Sequence, residues 1–411
     1  MNYIENKIKE LGFEKITPIQ EKTFKAFKDN KNIVGLAPTG TGKTHAYLLP
    51  IFSQIKKEIK ETQAIILVPT NELVIQVTQM ARQLDETISI KSYYGSIDKQ
   101  RELEWLKNNQ PQLVITTPSK LYEYAIANQA LNIHTANYFV LDEADMMFDE
   151  EFLSFIDATI EHIEPKILLF SATITKQMEP FIQKYFGSSI IIDTTKEHDL
   201  KIDHYLVKIK TDKRLETLLD VTEGINPYLA FIFVSKKEDQ QHIFEKLRDK
   251  GLNVVNFSSD LNVKQRKRLI DDIHKLKYQY IVASDLASRG IDFKASHVIH
   301  YDLPYHLEYF KHRSGRTGRM DSSGVVITLF ENKDSRKIDK LKKDGVNFKL
   351  VTIDKDGIKV EKPKEKPLDK EIVNAVKSIK KSKKVKPNHK KKYQREVKKT
   401  VNKIKRSRMK W

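Results

Sequence analysis

The octet Ala37-Pro38-Thr39-Gly40-Thr41-Gly42-Lys43-Thr44 closes on two glycines, a lysine and a threonine, a set suited to holding a polyphosphate. Backbone N–H groups at the start of a helix gather positive potential, and glycines let the chain approach phosphate oxygens closely. Lys43 then reaches the β- and γ-phosphates, and the Thr44 hydroxyl helps hold Mg²⁺. The first position carries Ala37 where the general pattern has glycine. Ninety-nine residues after Lys43 comes Asp142-Glu143-Ala144-Asp145, directly behind the apolar run Tyr138-Phe139-Val140-Leu141. Asp142 is the candidate Mg²⁺-side carboxylate, and Glu143 is suited to orient and deprotonate an attacking water. Much later, His312-Arg313-Ser314-Gly315-Arg316-Thr317-Gly318-Arg319 sets Arg316 and Arg319 three apart. Arginines supplied from another part of a chain can stabilise the charge that spreads over a phosphoryl group in transfer. Singly these segments also read as an ordinary turn, a solvated acidic turn and a basic surface cluster. Their co-occurrence in this order points to ATP-driven work.

Such groups need a scaffold that delivers them from strand ends. Apolar runs near Ile33–Leu36, Ile65–Val68, Leu113–Thr116, Phe139–Leu141 and Ile167–Phe170 alternate with helical patterns in the first half. Similar runs lie near Leu229–Val234, Val254–Phe257, Tyr280–Ala283, Val298–His300 and Val325–Leu329. This alternation predicts parallel strands covered on both faces, hence two doubly wound α/β domains. The polar stretch between Ile192 and Tyr205 is the expected join. After about Glu361, Lys362–Pro367 reads as a linker, and Glu371–Lys380 could form a short amphipathic helix.

The charge is uneven. The formal net charge is +18, and residues Lys377–Trp411 hold 17 Lys or Arg against one acid, Glu396, leaving about +2 elsewhere. A nearly neutral body with a polycationic, self-repelling tail points to a polyanionic partner. With no cysteine, disulfides and thiolate zinc sites are excluded. The 12 histidines show no ligand spacing. Neither a signal peptide nor an apolar run of roughly 18 residues is present, so a cytoplasmic protein without membrane contact is expected.

Several segments resemble the DEAD-box RNA helicases, a likeness that spans about residues 11–330. Gly12-Phe13-Glu14-Lys15-Ile16-Thr17-Pro18-Ile19-Gln20 is similar to the family's adenine-recognising motif, which implies Phe13 at the nucleotide and Gln20 reading the adenine edge. Ser171-Ala172-Thr173 resembles the motif that couples hydrolysis to strand separation, and Asp145 and His312 join that coupling set. Ala283–Asp292 resembles a motif shared between RNA and nucleotide, implying Gly290 and Asp292 near ATP and Ser284 and Asp285 near RNA. Gln265 and Arg268 match a pair contacting RNA and the other domain. Pro69, Thr70, Gly95, Thr117 and Pro118 occupy the first domain's expected RNA face. The phosphate-loop and tail segments are also similar to the family's bacterial cold-shock branch.

The resemblance implies two tandem RecA-like domains, 1–200 and 201–360, and a basic RNA-binding tail, 361–411. ATP, Mg²⁺ and RNA are the implied ligands, with ribosomal or RNA-decay ribonucleoproteins as targets. The implied activity is local melting of short duplexes driven by RNA-stimulated ATP hydrolysis. The competing class is an ATP-independent RNA chaperone acting through the tail, and DNA is the competing substrate. Departures cluster on the RNA face: Asn71 stands at the family's arginine, Ser96 at a glycine, and Ser119 and Lys120 at glycine and arginine. The expectation is weakened RNA affinity of the core, restored by the tail. The family's upstream adenine-stacking aromatic would precede Met1, and that contact is expected to be absent. His45, Met146 and Met147 are expected to serve packing, and Tyr93 and Tyr94 to belong to the core.

Overall fold

Apolar runs bounded by turns fold as the strands of two sheets in the computed structural model. It describes residues 3–95, 98–148, 150–195, 197, 202–209, 213–258, 260–285, 293–318, 323–361, 375, 378–379 and 393–400, apart from the side chains of 150, 151, 263 and 308. Gly290, Asp292, Arg319, Ser96 and most of Lys377–Trp411 lie outside the described residues. The chain divides into two units, Met1–Ile358 and Lys359–Trp411, and the first contains nearly all of both sheets. In the second unit, residues 393–400 are helical.

The first sheet comprises β1 (Ile33–Leu36), β2 (Ala64–Leu67), β3 (Ile90–Tyr93), β4 (Leu113–Thr116), β5 (Tyr138–Asp142), β6 (Lys166–Ser171) and β7 (Ile190–Asp193). Its order is β3-β4-β2-β5-β6-β1-β7, with every neighbouring pair parallel. The second comprises β8 (Ile202–Lys208), β9 (Ala230–Phe233), β10 (Val254–Phe257), β11 (Tyr280–Ala283), β12 (His297–His300), β13 (Gly324–Phe330), β14 (Phe348–Asp354) and β15 (Gly357–Val360). Its order is β10-β11-β9-β12-β13-β8-β14-β15. Each sheet with its helices is called a lobe below.

Central strands bury both faces, which is why they read as continuous apolar runs. In β2, Ile65 and Leu67 enter one core while Ala64 and Ile66 enter the opposite one. In β9, Phe231 and Phe233 face one side, Ala230 and Ile232 the other. All ten expected strands form, with no end shifted by more than one residue. Five further strands were not expected. β3 and β15 are sheet edges that carry polar residues, β8 is interrupted by Asp203 and His204, β14 mixes polar and apolar residues, and β7 is an edge strand whose apolar run is only Ile190-Ile191-Ile192. Consequently β7 and β8 occupy both ends of the stretch expected as a join. The sheets' parallel sense brings the C-terminal ends of β1, β5 and β6 to one edge, the usual place for a ligand in an open α/β sheet.

Candidate functional site

Strand register assembles the first half of the site. Leu36 pairs with Ser171, and Asp142 with Phe170, so the residues after β1, β5 and β6 emerge side by side. The phosphate loop turns from β1 into the helix Lys43–Phe52 through Gly40 and Gly42 at φ 82° and 87°. At Gly42 a Cβ would sit 2.5 Å from Gln20 Nε2, so this position needs glycine for space as well as for backbone sign. Lys43 is buried, donating to the Ala37 carbonyl at 3.2 Å and lying 3.2 Å from Glu143 Oε1. The Thr44 hydroxyl donates to Asp142 Oδ2 at 3.3 Å, and Tyr47 donates to the same oxygen at 2.7 Å. The Glu143 amide donates to Asp142 Oδ1 at 2.9 Å. Burial and the neighbouring Glu143 charge raise the Asp142 carboxyl to about 6, against the pull of Lys43 and Tyr47.

Glu143 stands at φ 52° and ψ 48°, a left-handed conformation unusual for a residue with a side chain. Its Oε2 is enclosed without a hydrogen-bond partner. A carboxylate oxygen so placed suits a water or substrate proton. No cluster of three His, Cys, Asp or Glu able to hold a metal occurs among the described residues. The Thr44–Asp142 pair is instead the kind of partial oxygen site that Mg²⁺ completes with phosphate oxygens and water.

These groups line a cavity of about 300 Å³. It is lined by Phe13, Lys15, Thr17 and Gln20 from the segment before β1, by Thr39, Gly40 and Gly42 from the loop after β1, and by His312 and Arg316 of the second lobe. Thr17 and Gln20 make a reciprocal capping box on the helix Pro18–Ala26: the Gln20 amide donates to the Thr17 hydroxyl oxygen at 3.4 Å, and the Thr17 amide donates to Gln20 Oε1 at 3.0 Å. Gln20 Nε2 donates to the Gly42 carbonyl at 3.2 Å. His45 also lines the cavity, and burial pushes its imidazole down to about 4. Met147 is core, as expected, whereas Met146 lines the cavity. Tyr93 is fully buried, packed 4.5 Å from Tyr124.

The second lobe reaches the cavity through the helix Glu308–Ser314 and the turn behind it. His312 Nε2 lies 3.2 Å from Asp145 Oδ2, which also accepts from the Thr173 hydroxyl at 2.9 Å. The Asp145 amide donates to Ser171 Oγ at 3.2 Å. Burial alone would raise the Asp145 carboxyl, but His312, Lys43 and Thr173 outweigh it and hold it at about 2. Asp145, Ser171, Thr173 and His312 therefore form one network across the lobes. Arg316 is 8% exposed; burial lowers its pKa while the Glu143 charge opposes that shift. A Cβ at Gly315 would come within 3.3 Å of Thr39 Cβ, so glycine permits the close approach of the two lobes here.

Other expected site residues have structural partners. Asp285 is gripped by Arg313 through Nε at 2.5 Å and Nη2 at 2.7 Å, while Arg313 Nη1 donates to the Asp302 carbonyl at 2.8 Å. Arg313 is almost fully buried, a role for which its neighbour His312 gave no signal. Thr70 caps the helix Asn71–Leu84, its hydroxyl accepting from the Leu73 amide at 3.3 Å. Asn71 Oδ1 accepts the Gly95 amide at 3.1 Å, tying two expected RNA-face loops together. Thr117 and Pro118 open a short helix that runs into a π-helical turn, Tyr122–Ala127. There Lys120 and Lys99 both pair with Glu123, at 2.6 Å each. Pro69 is half-buried after β2.

Gln265 is used in a capping box with Asn262 on the helix Val263–His274. Arg266, rather than Arg268, crosses to the first lobe and pairs with Glu72, both largely buried. Glu72→Gln, which keeps the acceptor and removes only its charge, should raise the RNA concentration giving half-maximal ATPase about 3–10-fold, the roughly 1 kcal/mol by which a charge-assisted bond exceeds a neutral one. A double-mutant cycle with Arg266→Gln should show coupling of about 1–2 kcal/mol; additive effects would mean that the pair does not hold the lobes together.

A DEAD/DEAH box helicase family match covers residues 17–181, and a helicase conserved C-terminal domain match covers 213–321. The chain is 37% identical to the DEAD-box ATP-dependent RNA helicase CshB of Listeria monocytogenes, over 84% of this chain and 81% of that one. It is 35% identical to CshB of Bacillus subtilis, over 99% and 96% respectively. Among solved structures, a single-residue variant of S. cerevisiae Dbp5 bound to RNA and ADP BeF3 superposes with a TM-score of 0.74 at 25% identity, covering 85% of this chain and 93% of that one.

Proposed function

This chain belongs to the DEAD-box ATP-dependent RNA helicases, and from that membership we propose how its own residues bind ATP, cleave it and use the closure of two lobes to separate RNA strands. The observation that carries the reading is a single cavity walled by Lys43, Asp142 and Glu143 from one lobe and by His312 and Arg316 from the other.

Gln20 has one amide hydrogen and one carbonyl lone pair beyond those used by Gly42 and Thr17. A free donor beside a free acceptor matches the N7/N6 edge of adenine, whereas guanine offers two acceptors there. Phe13 closes the same end, with Gly290 and Asp292 assigned to the nucleotide from the other lobe. The loop from Ala37 to Thr44 cradles the phosphates, and Lys43 bears on the transferring group. A magnesium ion held by Thr44 and Asp142 supplies charge neutralisation at the phosphate oxygens. Glu143 orients water for attack in line and takes its proton. Arg316, with Arg319, meets the charge that develops on the equatorial oxygens.

Asp145, Ser171, Thr173 and His312 report the nucleotide's state to the interface, because Asp145, held within the first lobe by Ser171 and Thr173, keeps its contact with His312 only while the lobes stay together. RNA lies along Pro69, Thr70, Gly95, Thr117 and Pro118 of one lobe and Gln265, Arg268, Ser284 and Asp285 of the other. Contacts there should be to phosphate and 2′-hydroxyl, with little sequence preference. The division at 1–200, 201–360 and 361–411, a cytoplasmic location, and ribosomal or RNA-decay ribonucleoprotein targets complete the reading. No helix among the described residues is long and apolar enough to cross a membrane.

The deciding experiment compares ATP hydrolysis without nucleic acid, with RNA and with matched DNA. Stimulation by RNA over DNA supports the reading, and indifference to RNA would sink it. The tail has its own test. Asn71 spends its side chain on Gly95, and Lys120 is paired with Glu123, so neither position offers RNA a free charge. Removing Lys377–Trp411 should raise the half-maximal RNA concentration. The tail should contribute about −0.7 to the log–log salt slope for each single-strand phosphate it neutralises, so its loss flattens that slope. An unchanged slope would assign the tail to solubility.

A further inference from the structure

Position 45 follows the last hydroxyl of the phosphate loop, on a helix whose next residues are buried and apolar. A packing residue there would serve as well if it were leucine. The fold instead turns the imidazole into the cavity wall, with its ring centre 4.9 Å from that of Phe13 and the planes at 84°. His45 Nε2 is enclosed without a hydrogen-bond partner. An unpaired buried nitrogen costs stability, so the ring's presence needs a reason other than the core.

Phe13 supplies one. It lies in the irregular segment between the helices Tyr3–Glu10 and Pro18–Ala26, where Gly12, Glu14, Lys15 and Ile16 are all exposed. Its amide donates to the Ile8 carbonyl at 3.1 Å, which holds the backbone but leaves the ring free to turn. The perpendicular contact with His45 fixes the ring. Perpendicular aromatic pairs are favoured because the positive edge of one ring meets the negative face of the other.

We infer that His45 is a positioning residue for the nucleobase: it pins Phe13 so that the aromatic wall stands fixed beside Gln20 at the base end of the cavity. This rests on the reading of that cavity as the ATP site. The helix Lys43–Phe52 thereby acts at both ends of the nucleotide, with Lys43 and Thr44 at the phosphates and His45 at the base. Because the base keeps its place throughout hydrolysis, the contribution is uniform binding and belongs in KM rather than kcat.

The test uses the full chain at saturating RNA. His45→Ala should raise the KM for ATP about 3–10-fold, the worth of one aromatic pair. The same variant should leave kcat within about twofold, since uniform binding is what is lost. His45→Phe, which keeps a ring against Phe13, should restore KM. Inhibition by inorganic tripolyphosphate, which has no base, should be the same in all three proteins. An unchanged KM in His45→Ala, or no rescue by phenylalanine, overturns the inference, as does an equal loss of tripolyphosphate affinity. The underlying reading fails separately, if Lys43→Ala leaves both ATP and tripolyphosphate binding intact.

Discussion

Glu143→Gln should lower ATP turnover about 10²–10⁴-fold, the usual worth of a positioned general base, while nucleotide binding is kept or tightened. The amide is nearly isosteric and can still accept from Lys43, which lies 3.2 Å from Oε1 in the native protein. What it cannot do is take a proton through Oε2, the enclosed and unpartnered oxygen. Binding should not suffer, because a negative charge facing the phosphates is removed. The variant should therefore hold ATP and RNA together and release neither efficiently. Equilibrium binding of a fluorescent ATP analogue, beside steady-state phosphate release, separates the two effects. Turnover within threefold of the native rate would remove Glu143 from the chemistry. Duplex melting that survives this substitution would favour the tail-driven chaperone over the helicase.

Arg316→Ala should abolish most of the RNA stimulation, with a loss of about 10³-fold or more in stimulated turnover, as for other arginines supplied across a domain cleft. Arg316 is buried beside Glu143 only because the second lobe lies against the first. Its burial lowers its pKa, but an arginine keeps its charge even so, and a desolvated charge acts strongly on a developing anion. RNA binding without nucleotide should be little changed, since Arg316 lines the nucleotide cavity. Arg316→Lys should recover only part of the rate, because an ammonium cannot present two parallel donors to phosphate oxygens. Combining Arg316→Ala with Glu143→Gln should cost far less than the product of the separate losses, since both act on one transition state. Full RNA stimulation in Arg316→Ala would mean that the lobes do not share the site.

What could be read from the chain alone is local in origin. The phosphate loop is eight contiguous residues, and its chemistry follows from glycine backbone freedom and the start of a helix. The strands β1, β2, β4, β9 and β11 announce themselves because burial on both faces demands unbroken apolar runs. The lysine-dense tail follows from counting. The edge strand β3 did not show itself, because a strand with one open side tolerates the polar Lys91 and Ser92, while β7 offers only the three-residue run Ile190-Ile191-Ile192 before a polar stretch.

Pairings between distant segments were decided by the tertiary structure. Arg266 meets Glu72, Arg313 takes the Asp285 carboxylate, and Gln20 ties its helix cap to Gly42. His45 gains Phe13, and Tyr47 gains Asp142, each across a sequence gap that no periodicity spans. The order of strands and the approach of the lobes set these partners. That arrangement sums many weak packing terms over the whole chain, whereas a motif reflects the backbone and charge of a few neighbouring residues. The residues therefore carry their chemistry from the sequence, and the fold chooses which of them act on the same atoms.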